Sequence, residues 1–135
     1  MAEPIPHAWI DSSQAPLYVW RFPPDAAYDD LVACCAARET WSATTAEPVA
    51  WVVDLTHLKA ATAKHRQAFA AHLERFRAFD ERWTVASAIV AEAAWVRGLV
   101  TAVFWVSPPR FPHRVFGDVI SARAWARGEL QRHRR

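Results

Sequence analysis

The chain's 135 residues suit one domain that buries most of its unfolded surface in a single core, and no independent linker is expected. Its 16 basic and 14 acidic residues leave a net charge of +2, too small a balance for a nucleic-acid footprint, and the six histidines add charge only at acidic pH. The first thirty residues lack a basic segment followed by an apolar run, and the longest apolar stretch, Leu99 to Val106, falls far short of the roughly 20 residues that span a bilayer, so the chain reads as cytoplasmic with no integral membrane segment.

In chain order, His7 to Asp11 and Leu17 to Phe22 read as two strands joined in a hairpin through Ser12, Ser13 and Gln14. Asp25 can cap a first helix in which Tyr28, Leu31, Val32, Cys35 and Ala36 recur at helical spacing, with Asp29, Asp30 and Arg38 on the opposite face. Val49 to Leu55 is a nearly continuous apolar run, as expected of a strand covered on both faces at the centre of a parallel sheet. A second helix is expected from Ala61 or Thr62 to about Asp80, burying Phe69, His72, Leu73, Phe76 and Phe79 or Asp80 and leaving Glu74 and Arg77 as a surface pair. Trp83 to Val90 reads as the next strand, Glu92 to Trp105 as a third helix, Arg114 to Phe116 as a short strand, and Val119 to Leu130 as a last helix. The alternation gives an α/β domain spanning 1–135: a mostly parallel sheet of about five strands, an N-terminal hairpin strand and about four helices, with 1–8 and 131–135 as flexible ends.

The third helix is apolar almost all the way round. Val96, Leu99, Val100 and Val103 form one stripe; Trp95, Ala102 and Trp105 form a second, with Phe104 between them. One stripe can pack on the domain's own sheet, and the other needs a further partner. Tryptophan dominates many binding surfaces, which makes Trp95 and Trp105 the interface candidates among the eight tryptophans.

Devices for other chemistries are missing. With glycine only at positions 98, 117 and 128, neither a phosphate-cradling GxxxxGK[ST] loop nor a GxGxxG turn exists, and there is no GxSxG elbow. Cys34 and Cys35 are adjacent in mid-helix, a poor setting for a nucleophile and insufficient for a disulfide scaffold or zinc site. His65 and His72 lie roughly 10 Å apart along a helix axis, too far to share one ion. Asp54 sits at the carboxyl end of the central strand, where open parallel sheets place ligands, although tying down the Thr56-His57 loop through backbone amides is the simpler role for it. Thr62 can cap the second helix or offer a modifiable hydroxyl at a helix start.

With this order in place, VVDLTHLK leading into a helix, the AWVRGLVTAVFWVSPPRFPHRVF block and the closing FGDVISARAWARGEL helix resemble a STAS-like domain over Leu17 to Leu130. This is the fold of bacterial anti-sigma-factor antagonists, and the likeness is to the divergent SpoIIAA-like group of small bacterial proteins. In phospho-regulated members of that family an Asp-Ser-Ser-Gly turn at the start of the second helix carries a serine phosphorylated by a partner kinase. Ala61, Thr62, Ala63 and Lys64 fall there, so Thr62 matches the acceptor as a hydroxyl, while the aspartate and glycine are missing and Lys64 stands in the glycine's place. The divergent group is similar in outline to small lipid-binding α/β domains, so the resemblance implies a hydrophobic ligand or a self-association surface.

The resulting expectation is a non-enzymatic regulatory or scaffold domain without cofactor or metal. It acts by association, either as a homodimer through Trp95, Leu99, Ala102, Phe104 and Trp105 with the Pro108-Pro109 turn, or with a bacterial regulatory protein. The alternative is a small apolar or lipid-like ligand between the third helix and the sheet, with Asp54 or His57 at the mouth; a phospho-switch at Thr62 and an enzyme using His57 and Asp54 rank below both.

Overall fold

The computed structural model describes residues 3–134. Strand β1 (Ile10–Asp11) turns back antiparallel onto β2 (Leu17–Arg21), pairing Ile10 with Trp20 and Asp11 with Val19. Asp11 Oδ1 accepts the Ser13 N–H at 2.9 Å and so holds the turn between them. From β2 onward every strand is parallel to the last: β3 (Val49–Asp54), β4 (Thr84–Val90) and β5 (His113–Phe116). Strand order is β1-β2-β3-β4-β5, so the sheet grows in one direction with β3 at its centre, as its apolar run requires. The fold is the expected α/β arrangement, with four helices α1 (Tyr28–Ser42), α2 (Ala63–Trp83), α3 (Ala94–Val106) and α4 (Val119–His133).

Successive strand residues point to opposite faces, which divides the core in two. Tyr18, Trp20, Trp51 and Ile89 pack with α1, α2 and α3 on an aromatic face. Leu17, Val19, Ala50, Val52, Ala88 and Val90 meet α4 on the other. Ala50, Ala88, Ala122 and Ala126 are completely buried, so small side chains on both partners bring α4 close to the sheet.

The helices depart from the expected boundaries for local reasons. In α1 the buried stripe is Leu31, Cys34, Cys35, Arg38 and Trp41, whereas Val32 and Ala36, expected inside, are exposed. The stripe is turned by about one position, because a seven-residue repeat ending on an arginine is invisible to apolar counting. Helix α2 runs straight into β4 without a loop, and Trp83, expected to open the strand, is its last residue. There the Thr84 N–H donates to the Asp80 carbonyl and its hydroxyl to Asp80 Oδ1 at 2.6 Å, ending the helix and starting the strand on one residue. Helix α3 begins at Ala94 instead of Glu92, and α4 continues past Leu130 to His133. Residues 3–8 are not a loose arm: Ile5 is buried, and the Glu3 carbonyl accepts from Tyr18 Oη and Trp41 Nε1, both at 2.8 Å. Of the expected flexible ends, residues 1, 2 and 135 lie outside the described residues.

Enlarging a side chain in the tight α4 seam should overpack it. Ala122→Leu is expected to cost about 1–3 kcal/mol, read as a lower urea midpoint with an unchanged m value.

Candidate functional site

The most unusual residue of the aromatic face is Arg38, which is 4% exposed. Its guanidinium carbon lies 4.5, 4.2 and 4.1 Å from the ring centroids of Trp20, Trp51 and Phe76, a cation held against three aromatic rings. No carboxylate oxygen comes within ion-pair distance among the described residues. The one hydrogen bond of the guanidinium there is from Nη1 to His72 Nε2 at 2.6 Å, and Nε is buried without a partner.

Because arginine can only donate, His72 Nε2 must be the acceptor and its hydrogen must sit on Nδ1, which donates to Glu39 Oε2 at 2.7 Å. Arg75 Nε in turn donates to Glu39 Oε1 at 2.9 Å. A relay therefore runs from solvent at Arg75 through Glu39 and His72 to the buried Arg38. Burial, reinforced by the charge of Arg38, pushes the His72 pKa down to about 3 against the pull of Glu39, so the ring stays neutral. Burial alone would raise the Glu39 pKa, but the bonds from Arg75 and His72 outweigh it and hold the carboxyl below its ordinary value.

Asp80 is the second buried ionisable group of this face, 6% exposed. Burial raises its pKa to about 6, opposed by the charge of Arg38 and the hydrogen bond from Thr84. Thr84 Oγ1 also accepts from Trp51 Nε1 at 3.1 Å, which ties Asp80 to the aromatic cage.

Both Arg38 and Asp80 border a cavity of about 110 Å³ between the sheet, α2 and α3, several times the ~10–15 Å³ that one water needs on the same measure. Trp20, Trp51, Val53 and Ile89 line it from the sheet; Phe69 and Leu73 of α2 and Leu99, Val100, Val103 and Phe104 of α3 line it from the helices. Leu55, Leu58, Ala61, His65 and Arg66 border the end beyond β3. The walls are almost entirely carbon, and the polar side chains on them are Arg38, His65, Arg66, Asp80 and Ser87.

The sequence-derived candidates are scattered relative to this cavity. Asp54 is buried, but its Oδ1 accepts the Thr56 N–H at 3.0 Å and the Thr56 hydroxyl, so it holds the loop after β3. Strand alternation also puts its side chain on the α4 face, away from the cavity. His57 is exposed, and neither residue lines the cavity. Leu55 and Leu58 border it from the same loop, and His65 from the first turn of α2.

Thr62 is the N-cap of α2. Its oxygen accepts the His65 N–H at 3.2 Å, and its hydroxyl donates to His65 Nδ1 at 2.7 Å, since His65 Nε2 donates to the Ala26 carbonyl at 2.7 Å. Of the α3 candidates, Leu99 and Phe104 face the cavity, Ala102 borders an open groove against α2, and Trp95 and Trp105 face outward, 46% and 84% exposed. Cys34 and Cys35 are buried thiols whose pKa values burial pushes up to about 12, and they are correspondingly inert. Among the described residues, no three His, Cys, Asp or Glu side chains come together as a metal site, and no helix is long and apolar enough to cross a membrane.

Comparison of the chain with models of known protein families, with curated proteins and with solved structures finds no match in any of the three.

Sequence reasoning missed Arg38 and gave Asp80 no role. The available signal was positional: Arg38 lies seven residues after Leu31 and four after Cys34, on the stripe that both of them bury.

Two outcomes follow from this chemistry. Folded His72 stays neutral down to about pH 3, whereas its unfolded counterpart protonates below about 6.5, so its contribution is whole above pH 6.5 and is lost as pH falls toward 3. Asp80 acts in the opposite sense: it keeps its proton up to about pH 6 when folded and to 3.8 when unfolded, so its contribution is whole below 3.8 and is lost as pH rises through 6. His72→Gln keeps one acceptor and one donor but cannot titrate. Between pH 6.5 and 4.5 the wild type should lose about 2 kcal/mol that this variant retains, measured by urea unfolding at each pH. Thr62→Ala, which removes the cap of α2, should cost about 1 kcal/mol at any pH between 6 and 8.

Proposed function

We propose that this domain is a non-enzymatic binder of a small apolar molecule, held between α2, α3 and the sheet. The observation that carries the reading is the cavity itself: carbon walls with a few polar groups are the usual make-up of a small-molecule site. The inner stripe of α3 supplies Leu99, Val100, Val103 and Phe104 to that site, so part of the helix's excess apolar surface serves the ligand. The STAS-like kinship belongs to the same proposal, supported by the parallel strand and helix order and by a hydroxyl at the cap of α2.

A second reading, association of two copies through the outer side of α3, is favoured by a separate observation. Trp105 and the neighbouring Val106 are 84% and 70% exposed on the same helix that exposes Trp95. Large apolar side chains grouped on a surface mark interaction sites.

The ligand reading is tested with N-phenyl-1-naphthylamine, a neutral fluorescent probe whose signal rises in apolar surroundings. Saturable binding of one probe per chain is expected, with quenching of Trp20 and Trp51 emission. Val100→Trp, which fills the cavity, should weaken binding by about tenfold or more, that is ~1.4 kcal/mol. Binding that ignores this substitution would place the probe elsewhere and sink the reading. For association, light scattering should give a dimer mass that Trp95→Ala and Trp105→Ala together reduce to a monomer. A monomer already in the wild type rules the second reading out.

A further inference from the structure

We propose that the ligand of this cavity is a small apolar carboxylic acid whose head group seats between Arg38 and Asp80, with one proton taken up from solvent and shared between the two carboxyl groups. The inference rests on the reading that the cavity is a ligand site and names the chemistry it selects.

Arg38 is a planar fork of N–H donors with one hydrogen bond, to His72, and a buried Nε that has no partner. Buried donors are nearly always satisfied, and of the three unpartnered among the described residues, on Trp20, Arg38 and Arg123, the Arg38 nitrogen belongs to a buried cation on the cavity wall and asks for an acceptor. Arg38 borders the cavity, where such an acceptor can sit. A carboxyl group offers the guanidinium one oxygen as an acceptor and leaves its second oxygen for a further partner.

Asp80 faces the same space. The Thr84 hydroxyl takes its Oδ1, and no hydrogen bond reaches its other oxygen among the described residues. A second carboxylate brought beside it in a low-dielectric space cannot stay charged alongside a charged Asp80, so the two hold one proton between them. That proton makes the hydrogen bond to the open Asp80 oxygen, while the ligand's other oxygen faces Arg38.

The surrounding charge favours an anion. Besides Arg38 from α1 and Asp80, the ionisable groups on the cavity and on the smaller pocket that adjoins it at Asp80 are His65, Arg66 and Arg77 from α2, the last already paired with Glu74 and Glu81, and Arg110 from the turn before β5. The sheet and α3 contribute no ionisable side chain to either. Asp80 is the one acid in this set, and His72 behind Arg38 is neutral.

The test uses octanoate and 1-octanol as probes of matched length, titrated calorimetrically into the whole protein at pH 6, 7 and 8 in two buffers of different ionisation enthalpy. Octanoate should bind more tightly than octanol at pH 6. Its affinity should fall by up to about tenfold per pH unit above 6, with close to one proton taken up per ligand at the upper end. Asp80→Asn should abolish both the slope and the uptake, and His65→Gln should preserve both.

Equal, pH-independent binding of the two probes would overturn the acid and leave the cavity reading standing. If neither binds, both fall. A slope that survives Asp80→Asn, or that disappears in His65→Gln, would assign the proton to another group and overturn the shared-proton arrangement. Should Asp80→Asn fail to fold by circular dichroism, proton uptake by the wild type together with the His65→Gln slope still decides.

Discussion

A buried guanidinium with no carboxylate in contact is the constraint around which the aromatic half of this domain is arranged. Removing a charge from water costs several kcal/mol even after relaxation. Here the charge is met by three ring faces, each attractive to a cation by about 1–2 kcal/mol when desolvated, and by one imidazole nitrogen. That nitrogen accepts only while His72 is neutral with its hydrogen on Nδ1, and Glu39 fixes that form by accepting the hydrogen. Arg75 then holds Glu39 from the solvent side. Each member of the chain fixes the protonation state or orientation of the next, so α1 and α2 are joined by a directional polar contact as well as by packing.

The two faces of the sheet solve different problems. On the α4 side, alanines on helix and strands let the elements approach closely. On the other side Trp20, Trp51 and Phe76 stand around Arg38, and rings of that size do not interlock with the inner stripe of α3 as alanines do with α4. The space left over is the cavity, bordered at one point by the same guanidinium that the rings enclose. Aromatic cage and open space are thus two results of one choice of side chains.

The strand and helix order was legible because it depends on periodicity, which VAWVVDL and the third helix display strongly. The split of α3 into an inner and an outer stripe was legible for the same reason: Val96 and Val103 are buried while Trp105 is bare. The interior of the site was not. Arg38 occupies a core position, but hydrophobic pattern alone sends an arginine outward, and what reverses that is contact with Trp20 of β2, Trp51 of β3 and Phe76 of α2, residues distant in sequence. Asp54 takes the loop-holding role foreseen for it, and parity keeps it off the cavity: position 54 falls on the α4 side of β3, whereas its neighbours Val53 and Leu55 line the cavity. Boundaries such as the α2 to β4 junction depended on one aspartate-threonine pair, a detail that propensity does not register.

The unbroken strand order carries a consequence for where open space can lie. Open parallel sheets usually hold ligands in a crevice where the winding of the chain reverses, and this sheet, stepping from β2 to β5 without reversal, has no such crevice. The cavity lies instead between layers, under α2 and α3. The edge strand β5 is paired on one side alone and follows α3 in the chain. The third helix is thus at once a wall of the cavity and the carrier of Trp95 and Trp105, which are exposed away from it.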